Sequence, residues 1–330
     1  MKVLITGGAG FIGTNYTYYH TEKYPEHKVT VLDKLTYAGN KANIDPLIKL
    51  EKIQFIQGDI ADSAFVKDLF ENQKFDLVIN FAAETHVDHS ILNPDIFIQT
   101  NIVGTHNLLR ASLDFGVKRY HQISTDEVYG DLGDTKDTFF REDTPLDPNP
   151  PYAASKAAAD LLVESYFKTF ELAATISRCS NNYGPYQFPE KLIPYFFRLA
   201  SEDKPLPVYG DGLNIRDWLY VHDHCTAIDL IVTKSLPGKI YNIGGHNEKT
   251  NLEITQEILE FLGKPSDLIQ FVPDRKAHDR RYAMDPTLIE NELGWKPEYN
   301  FQSGIKKTFE WYQQNQAWWE NLLANANRWQ

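Results

Sequence analysis

The chain has 330 residues and a net charge of −12, a balance that argues against general nucleic-acid or anionic-membrane binding but leaves room for a local basic pocket. Two cysteines, Cys179 and Cys225, cannot form a disulfide framework. With no signal-peptide layout at the N-terminus and no apolar run near the ~20 residues of a membrane span, they point to a soluble cytoplasmic protein of one large or two fused domains.

Lys2 to Thr6 reads as an apolar strand feeding Gly7-Gly8-Ala9-Gly10-Phe11-Ile12-Gly13, then a helix to about Lys23. His27 to Leu32 is a second apolar strand and ends at Asp33, 20 positions after Gly13. A glycine motif alone is weak. Placed after a strand, opening a helix and followed at this distance by an acid, it has the context of a dinucleotide fingerprint. The glycines let the backbone approach a pyrophosphate at a helix N-terminus. Asp33 should accept from the adenosine ribose hydroxyls and repel a 2′-phosphate, so NAD is expected over NADP.

The alternation continues with strands at 53–60 and 76–83 and helical patterns around 63–72 and 95–115. Repeated strand–helix units predict a Rossmann-type doubly wound parallel sheet, an α/β fold whose ligands sit at the strand C-termini. Asp33, Asp59, Ala82 to Thr85 and Thr125 all fall there. Arg119 to Ile123 is a further strand that places Thr125 at its C-terminal end. Residues 126–151 are turn-rich and should form a loop beside the site. A helix over 152–171 and a strand at 174–178 follow. Past Pro185 the pattern loosens, with helices near 223–235, 252–262 and 304–316, so residues 1–184 are expected to bind the cofactor and 185–330 to form a smaller C-terminal α/β substrate domain. The latter carries Lys191, Arg216, Arg275, Arg280 and Arg281, any of which could face a diphosphate. The tail with Trp318, Trp319 and Trp329 reads as terminal packing. The histidines, His86 and His89 included, show no metal-ligand spacing, so no metal is expected.

The chemistry concentrates in residues 124–156. Tyr152 and Lys156 are four apart and share one helical face. A free Tyr, with a pKa near ~10, is a poor base at neutral pH. An ammonium one turn away is expected to favour the phenolate and lower that value. Thr125, Asp126 and Glu127 add a hydroxyl and two carboxyl groups. Adjacent carboxylates repel, so one can be held protonated as an acid while the other stays a base.

These stretches, together with Ala82-Ala83-Glu84-Thr85-His86-Val87-Asp88, Cys179 to Pro185, Pro189-Glu190-Lys191-Leu192 and His278-Asp279-Arg280-Arg281-Tyr282, resemble the extended short-chain dehydrogenase/reductase family, in its nucleotide-sugar 4,6-dehydratase branch. The resemblance runs from Met1 to about Tyr312. Sibling epimerases and decarboxylases generally lack the Thr-Asp-Glu triplet, and a non-catalytic NAD-sensing protein would have lost the acid–base set. The resemblance implies a homodimer that converts dTDP-glucose to its 4-keto-6-deoxy product. By it NAD would be held by Gly7, Gly10, Phe11, Ile12 and Gly13, by Asp33, Lys34, Leu35 and Thr36, and by Asp59 and Ile60. Phe81, Ala82, Ala83, Glu84, Thr85, Thr100, Tyr152, Lys156 and Asn182 would complete that site. The sugar nucleotide would meet Thr85, Thr125, Asn181, Lys191 and Leu192, then Pro207, Val208, Tyr209, Arg216 and Asn251, and finally His278, Asp279, Arg280, Arg281 and Tyr282. Two departures stand out: His89 where the family has Arg, and Lys276-Ala277 where it has Pro-Gly.

Overall fold

The computed structural model describes residues 1–274 and 278–326. Its first part alternates strand and helix: β1 (Lys2–Thr6), α1 (Phe11–Lys23), β2 (Lys28–Asp33), α2 (Asp45–Lys49), β3 (Ile53–Gln57), α3 (Ser63–Gln73) and β4 (Leu77–Asn80). In β1, Val3, Leu4 and Ile5 are all fully buried. Val3 and Ile5 pack with Tyr16 on one face of the sheet, while Leu4 packs with Val66, Phe70 and Leu108 on the other. A continuous apolar run of this kind suits a parallel strand covered on both faces.

Helices α4 (Val87–Leu92) and α5 (Asp95–Phe97) lead into a π-helical stretch, Ile98–Gly104, and then α6 (Thr105–Asp114), β5 (Arg119–Thr125), α7 (Pro151–Phe170) and β6 (Ala174–Cys179). The helix expected over 95–115 is thus interrupted. The wider π turn carries Thr100 at the cofactor cleft, and it buries Asn101 against the backbone of Glu84.

Beyond β6 come β7 (Asn181–Tyr183), α8 (Leu192–Ser201), β8 (Leu206–Tyr209), β9 (Ile215–Tyr220), α9 (Val221–Lys234), β10 (Ile240–Ile243), β11 (Glu248–Thr250), α10 (Asn251–Leu262), β12 (Ile269–Val272), α11 (Thr287–Leu293), α12 (Phe301–Gln314) and α13 (Gln316–Ala326). The large sheet has seven strands in the order β10-β6-β5-β4-β1-β2-β3, all paired parallel. Connections diverge on either side of β1 and β4, which opens a crevice at their C-terminal ends. The smaller lobe holds a three-stranded sheet, β11-β9-β7, and the pair β12-β8. Its core is aromatic, with Phe196, Phe197, Trp218, Phe301 and Phe309 buried together. The chain does not stay in that lobe: α9 packs on α1 and β6, and β10 adds an edge to the large sheet. Trp319 is buried against the small-lobe core and Trp318 packs beside it, whereas Trp329 lies outside the described residues. Among the described residues no helix is long and apolar enough to cross a membrane, and no cluster of side chains could hold a metal ion.

Candidate active site

The glycine loop between β1 and α1 is shaped by close backbone approach. Gly7 sits at φ +69°, and a Cβ there would lie 2.6 Å from the amide nitrogen of Ala82. A Cβ on Gly13 would lie 2.2 Å from the Gly7 carbonyl oxygen. Gly10 opens α1 without a side-chain cap. The result is a cradle lined by Gly7, Gly10, Phe11, Ile12 and Gly13. Asp33 ends β2 beside it. Its carboxylate accepts from Ala9 N at 3.0 Å and Leu35 N at 2.8 Å. Burial raises its pKa, and those two N–H groups work against the rise. Leu35 is held at φ +58° and does not line the cleft, whereas Lys34, Thr36, Asp59 and Ile60 do. Lys34 Nζ lies 2.7 Å from Asp59 Oδ2 and closes this end of the cleft.

After β4 the backbone of Phe81, Ala82, Ala83, Glu84 and Thr85 continues along the cleft wall. It is fixed by Asn101, whose amide accepts from Glu84 N at 2.8 Å and donates to Glu84 O at 3.0 Å. The same Asn101 amide donates to Ser155 Oγ at 2.8 Å, and Ser155 donates to the Tyr152 carbonyl at 2.7 Å. Asn101 and Ser155 therefore tie the cofactor wall to the helix bearing Tyr152. Sequence reasoning missed both, because nothing in the local pattern marks a bond across 54 positions.

Thr125 is the last residue of β5, and its hydroxyl caps a single 3₁₀ turn, Asp126–Tyr129. It donates to Asp126 Oδ1 at 3.2 Å. Asp126 is only 2% exposed, and its Oδ2 has no hydrogen-bond partner. Burial, then the charge of Glu127, push its carboxyl well above the ordinary range, which favours the acid form. Tyr152 and Lys156 enter from the first turns of α7 and line the same cleft with Thr125, Asp126 and Glu127. The expected lowering of the Tyr152 pKa is not present in this arrangement. Burial, then the charge of Glu127, push the phenol well up, with the Thr125 hydroxyl pulling against them. Lys156 instead donates to Ile123 O at 2.6 Å, and burial lowers its own pKa. It draws on Asp160, one turn further along α7, which pairs with the buried Arg178 at 2.9 Å.

Asn181 and Asn182 follow β6 and reach the cleft. Asn181 Oδ1 is buried without a partner, whereas Asn182 is held by Ser180 O and His224. Lys191 lines the cleft and donates to Thr85 O at 3.0 Å. The remaining substrate candidates gather next door rather than on the cleft wall. Leu192 begins α8 and Asn251 begins α10. Pro207, Val208 and Tyr209 lie on β8. Val208 is buried in the small-lobe core, so only its backbone is available, while Tyr209 is exposed and meets His278 edge-on at 6.3 Å. Arg216 stacks on Tyr282 at 4.2 Å, and Tyr282 OH donates to Asp279. This stack is close enough for Arg216 to lower the Asp126 pKa and for Glu127 to raise that of Tyr282. Arg280 pairs with Asp211 at 2.9 Å and Asp134 at 3.2 Å. Arg281 departs from its expected role. It makes a fork on Glu248 at 2.7 and 2.9 Å and spends its other donors on carbonyls of Thr135, Lys136 and Thr138, so it braces the loop instead of facing a ligand. Arg275, Lys276 and Ala277 lie outside the described residues. His89, the other departure, stacks on His86 at 4.0 Å. Cys179 lines the cleft but is buried, with a thiol pushed up to about 12, and both cysteines are free.

A family model for GDP-mannose 4,6 dehydratase matches residues 4–308. A dTDP-glucose 4,6-dehydratase of Neisseria meningitidis serogroup B is 47% identical over 99% of this chain and 97% of that protein. One from Streptomyces antibioticus is 47% identical over 98% of this chain and 95% of its own length. The crystal structure of DesIV, a dTDP-glucose 4,6-dehydratase from Streptomyces venezuelae with NAD and TYD bound, matches with a TM-score of 0.93 at 44% identity. That match covers 98% of this chain and all of the other. On likeness of this depth along almost its whole length, the chain belongs to the family of the dTDP-glucose 4,6-dehydratases, within the extended short-chain dehydrogenases/reductases.

Proposed function

We propose that the chain dehydrates dTDP-glucose to dTDP-4-keto-6-deoxyglucose, with NAD as a cofactor regenerated in each turnover. One observation carries the reading. The turn after β5 sets two carboxyl groups beside Tyr152, one of them buried with an oxygen that no described group binds. An epimerase or decarboxylase needs the tyrosine and the lysine but has no use for that acid. The named activity of the relatives, and the NAD and TYD bound to DesIV, support the choice of substrate and cofactor.

The residues present fit NAD: Gly7 and Gly13 leave no room for a side chain against the backbone of Ala82 and Gly7, so the loop folds tightly at the start of α1, and Asp33 places a carboxylate where ribose hydroxyls would donate. When bound, NAD supplies the acceptor for the C4 hydride of the sugar and the source of the hydride that C6 receives. Tyr152 takes the O4 proton as its phenolate, the form that the Thr125 hydroxyl favours against burial and Glu127, and that hydroxyl would turn from Asp126 to steer the same oxygen. The resulting C4 ketone acidifies the C5 hydrogen, which Glu127 removes. Asp126 gives its proton to the C6 hydroxyl, which leaves as water, and a proton returns to C5 as C6 is reduced. Lys156 would hold the nicotinamide ribose and offset the phenolate charge. Lys191 lines the cleft, and Arg216, Asn251, Tyr209 and His278, which lie off its wall, would meet the nucleotide diphosphate beyond it.

The enzyme works as a cytoplasmic homodimer in this reading. Leu161 and Phe170 on α7 are 57% and 47% exposed, and Leu92 on α4 is 83% exposed. Helix α7 packs beside α4 and α6, so these side chains lie on neighbouring helices that a twofold partner could cover.

Deuterium at C4 of dTDP-glucose tests the mechanism. It should reappear at C6 of the product. Retention at C4 would mean an epimerase, and release in free NADH a simple dehydrogenase.

A further inference from the structure

We infer that Trp318, acting through Asn43, is a positioning residue for the cofactor, so that the C-terminal helix straps the dinucleotide loop. The inference rests on the reading that the cleft holds NAD. The indole Nε1 of Trp318 in α13 donates to Asn43 Oδ1 at 2.7 Å, across 275 positions of chain. Asn43 is 3% exposed. Its Nδ2 donates to Ala9 O at 3.0 Å, in the middle of the glycine loop. Ala9 N in turn donates to Asp33 Oδ2 at 3.0 Å. Three hydrogen bonds in series therefore run from the C-terminal helix to the carboxylate placed for the adenosine ribose.

The surroundings hold this chain in one register. Asn40 N also donates to Ala9 O at 3.0 Å, and Tyr18 OH donates to the Asn43 carbonyl at 2.9 Å. Tyr18 stacks on Tyr186, which meets Trp318 edge-on at 6.0 Å, and Trp318 meets Trp311 edge-on at 5.0 Å. The indole is thus wedged between aromatic rings with only its N–H directed at the loop. An asparagine amide cannot rotate without exchanging donor for acceptor. With Trp318 donating to its oxygen at 2.7 Å, the shorter of two bonds there beside Asn40 Nδ2 at 3.3 Å, the nitrogen of Asn43 is committed to Ala9. Residues on both sides of this anchor, Gly10 and Phe11 on one segment and Ala38 and Gly39 on the other, line the cofactor cleft. Loosening the anchor frees both segments at once. A cofactor that must survive every catalytic cycle needs slow release more than it needs fast chemistry, and a remote strap serves release alone.

The Trp318→Phe variant keeps the ring and removes the N–H. Bound labelled NAD exchanged against excess unlabelled NAD should leave the variant about 3- to 10-fold faster than the parent, the worth of one hydrogen bond. At saturating NAD, kcat and the KM for dTDP-glucose should not change. The Trp319→Phe variant is the control. It removes the same group from the next residue of the same helix, where the indole reaches only Tyr312 O at 3.4 Å. Its NAD exchange should match the parent. Equal exchange rates in parent and Trp318→Phe would overturn the inference, and so would equal acceleration in both variants, or a fall in kcat at saturating NAD. Failure of the parent itself to bind NAD would instead refute the cofactor reading.

Discussion

Replacing Asp126 with Asn keeps the shape of a buried side chain and takes away its acidic proton. The parent carboxyl is 2% exposed, with one oxygen on the Thr125 hydroxyl and the other unpartnered. An amide of the same size can keep the Thr125 contact, so the fold has no cavity to absorb. Loss of one positioned acid should slow dehydration by roughly 10²–10⁴-fold, about 3–5 kcal/mol of barrier. Stability should move the other way. Burial and Glu127 raise the folded-state pKa above the ordinary 3.8, so the folded chain holds this proton more tightly than the unfolded chain does. The stability this site contributes is complete below 3.8 and is lost as pH rises through the folded value. Asn has no proton to lose. The variant should therefore gain on the parent as pH rises above 3.8 and end the more stable of the two, the usual trade at an active site. Thermal unfolding at three pH values, paired with mass detection of water loss, reads both effects. Full-rate dehydration would remove Asp126 from the mechanism. A variant that loses ground to the parent as pH rises would show the parent carboxylate to be ionised and stabilising, and the acid role would fall.

Asp33→Ala should narrow the preference for NAD over NADP in parallel titrations, because it removes the charge set against a 2′-phosphate; comparable affinities for the two cofactors in the parent would refute the role given to Asp33. Leu161→Asp puts a charge on the exposed apolar side of α7 and should convert a dimer into monomer in sedimentation at micromolar concentration. A parent that already sediments as a monomer would refute the assembly.

Much of the large sheet was legible because its signals are local. Val3, Leu4 and Ile5 form an unbroken apolar run, Gly7, Gly10 and Gly13 follow at fixed spacing, and Asp33 ends the next strand. The turn Thr125-Asp126-Glu127 and the pair Tyr152-Lys156 were legible for the same reason, and the structure places all five on one cleft. What escaped was set by distant contacts. The π-helical turn at 98–104 looks like ordinary helix in sequence, and it takes Thr100 at the cleft and Asn101 on the Glu84 backbone to give it a purpose. Spacing alone does not show that burial and Glu127 push the Tyr152 phenol up, or that Lys156 donates to Ile123 O. Arg281 looked free to meet a ligand until Glu248 and the 135–138 carbonyls claimed its donors. Strand β9 buries Asp217, which accepts from Gly245 N and Asn247 N at 2.8 and 2.7 Å, so its charge hides a strand that composition alone would reject.

Strand β10 sets a condition on how this protein can be made. It pairs with β6 at the edge of the large sheet, and α9 just before it covers β5 and β6, yet both lie after most of the small lobe's first strands in the chain. On the ribosome the large sheet stays unfinished until residue 243 has emerged. Until then β6 is an open edge, able to pair with any passing strand. A chain stopped after residue 184 would carry that edge permanently. Such a fragment should aggregate, while the chain that carries β10 covers the long β6 edge and leaves only the four-residue β10 outermost.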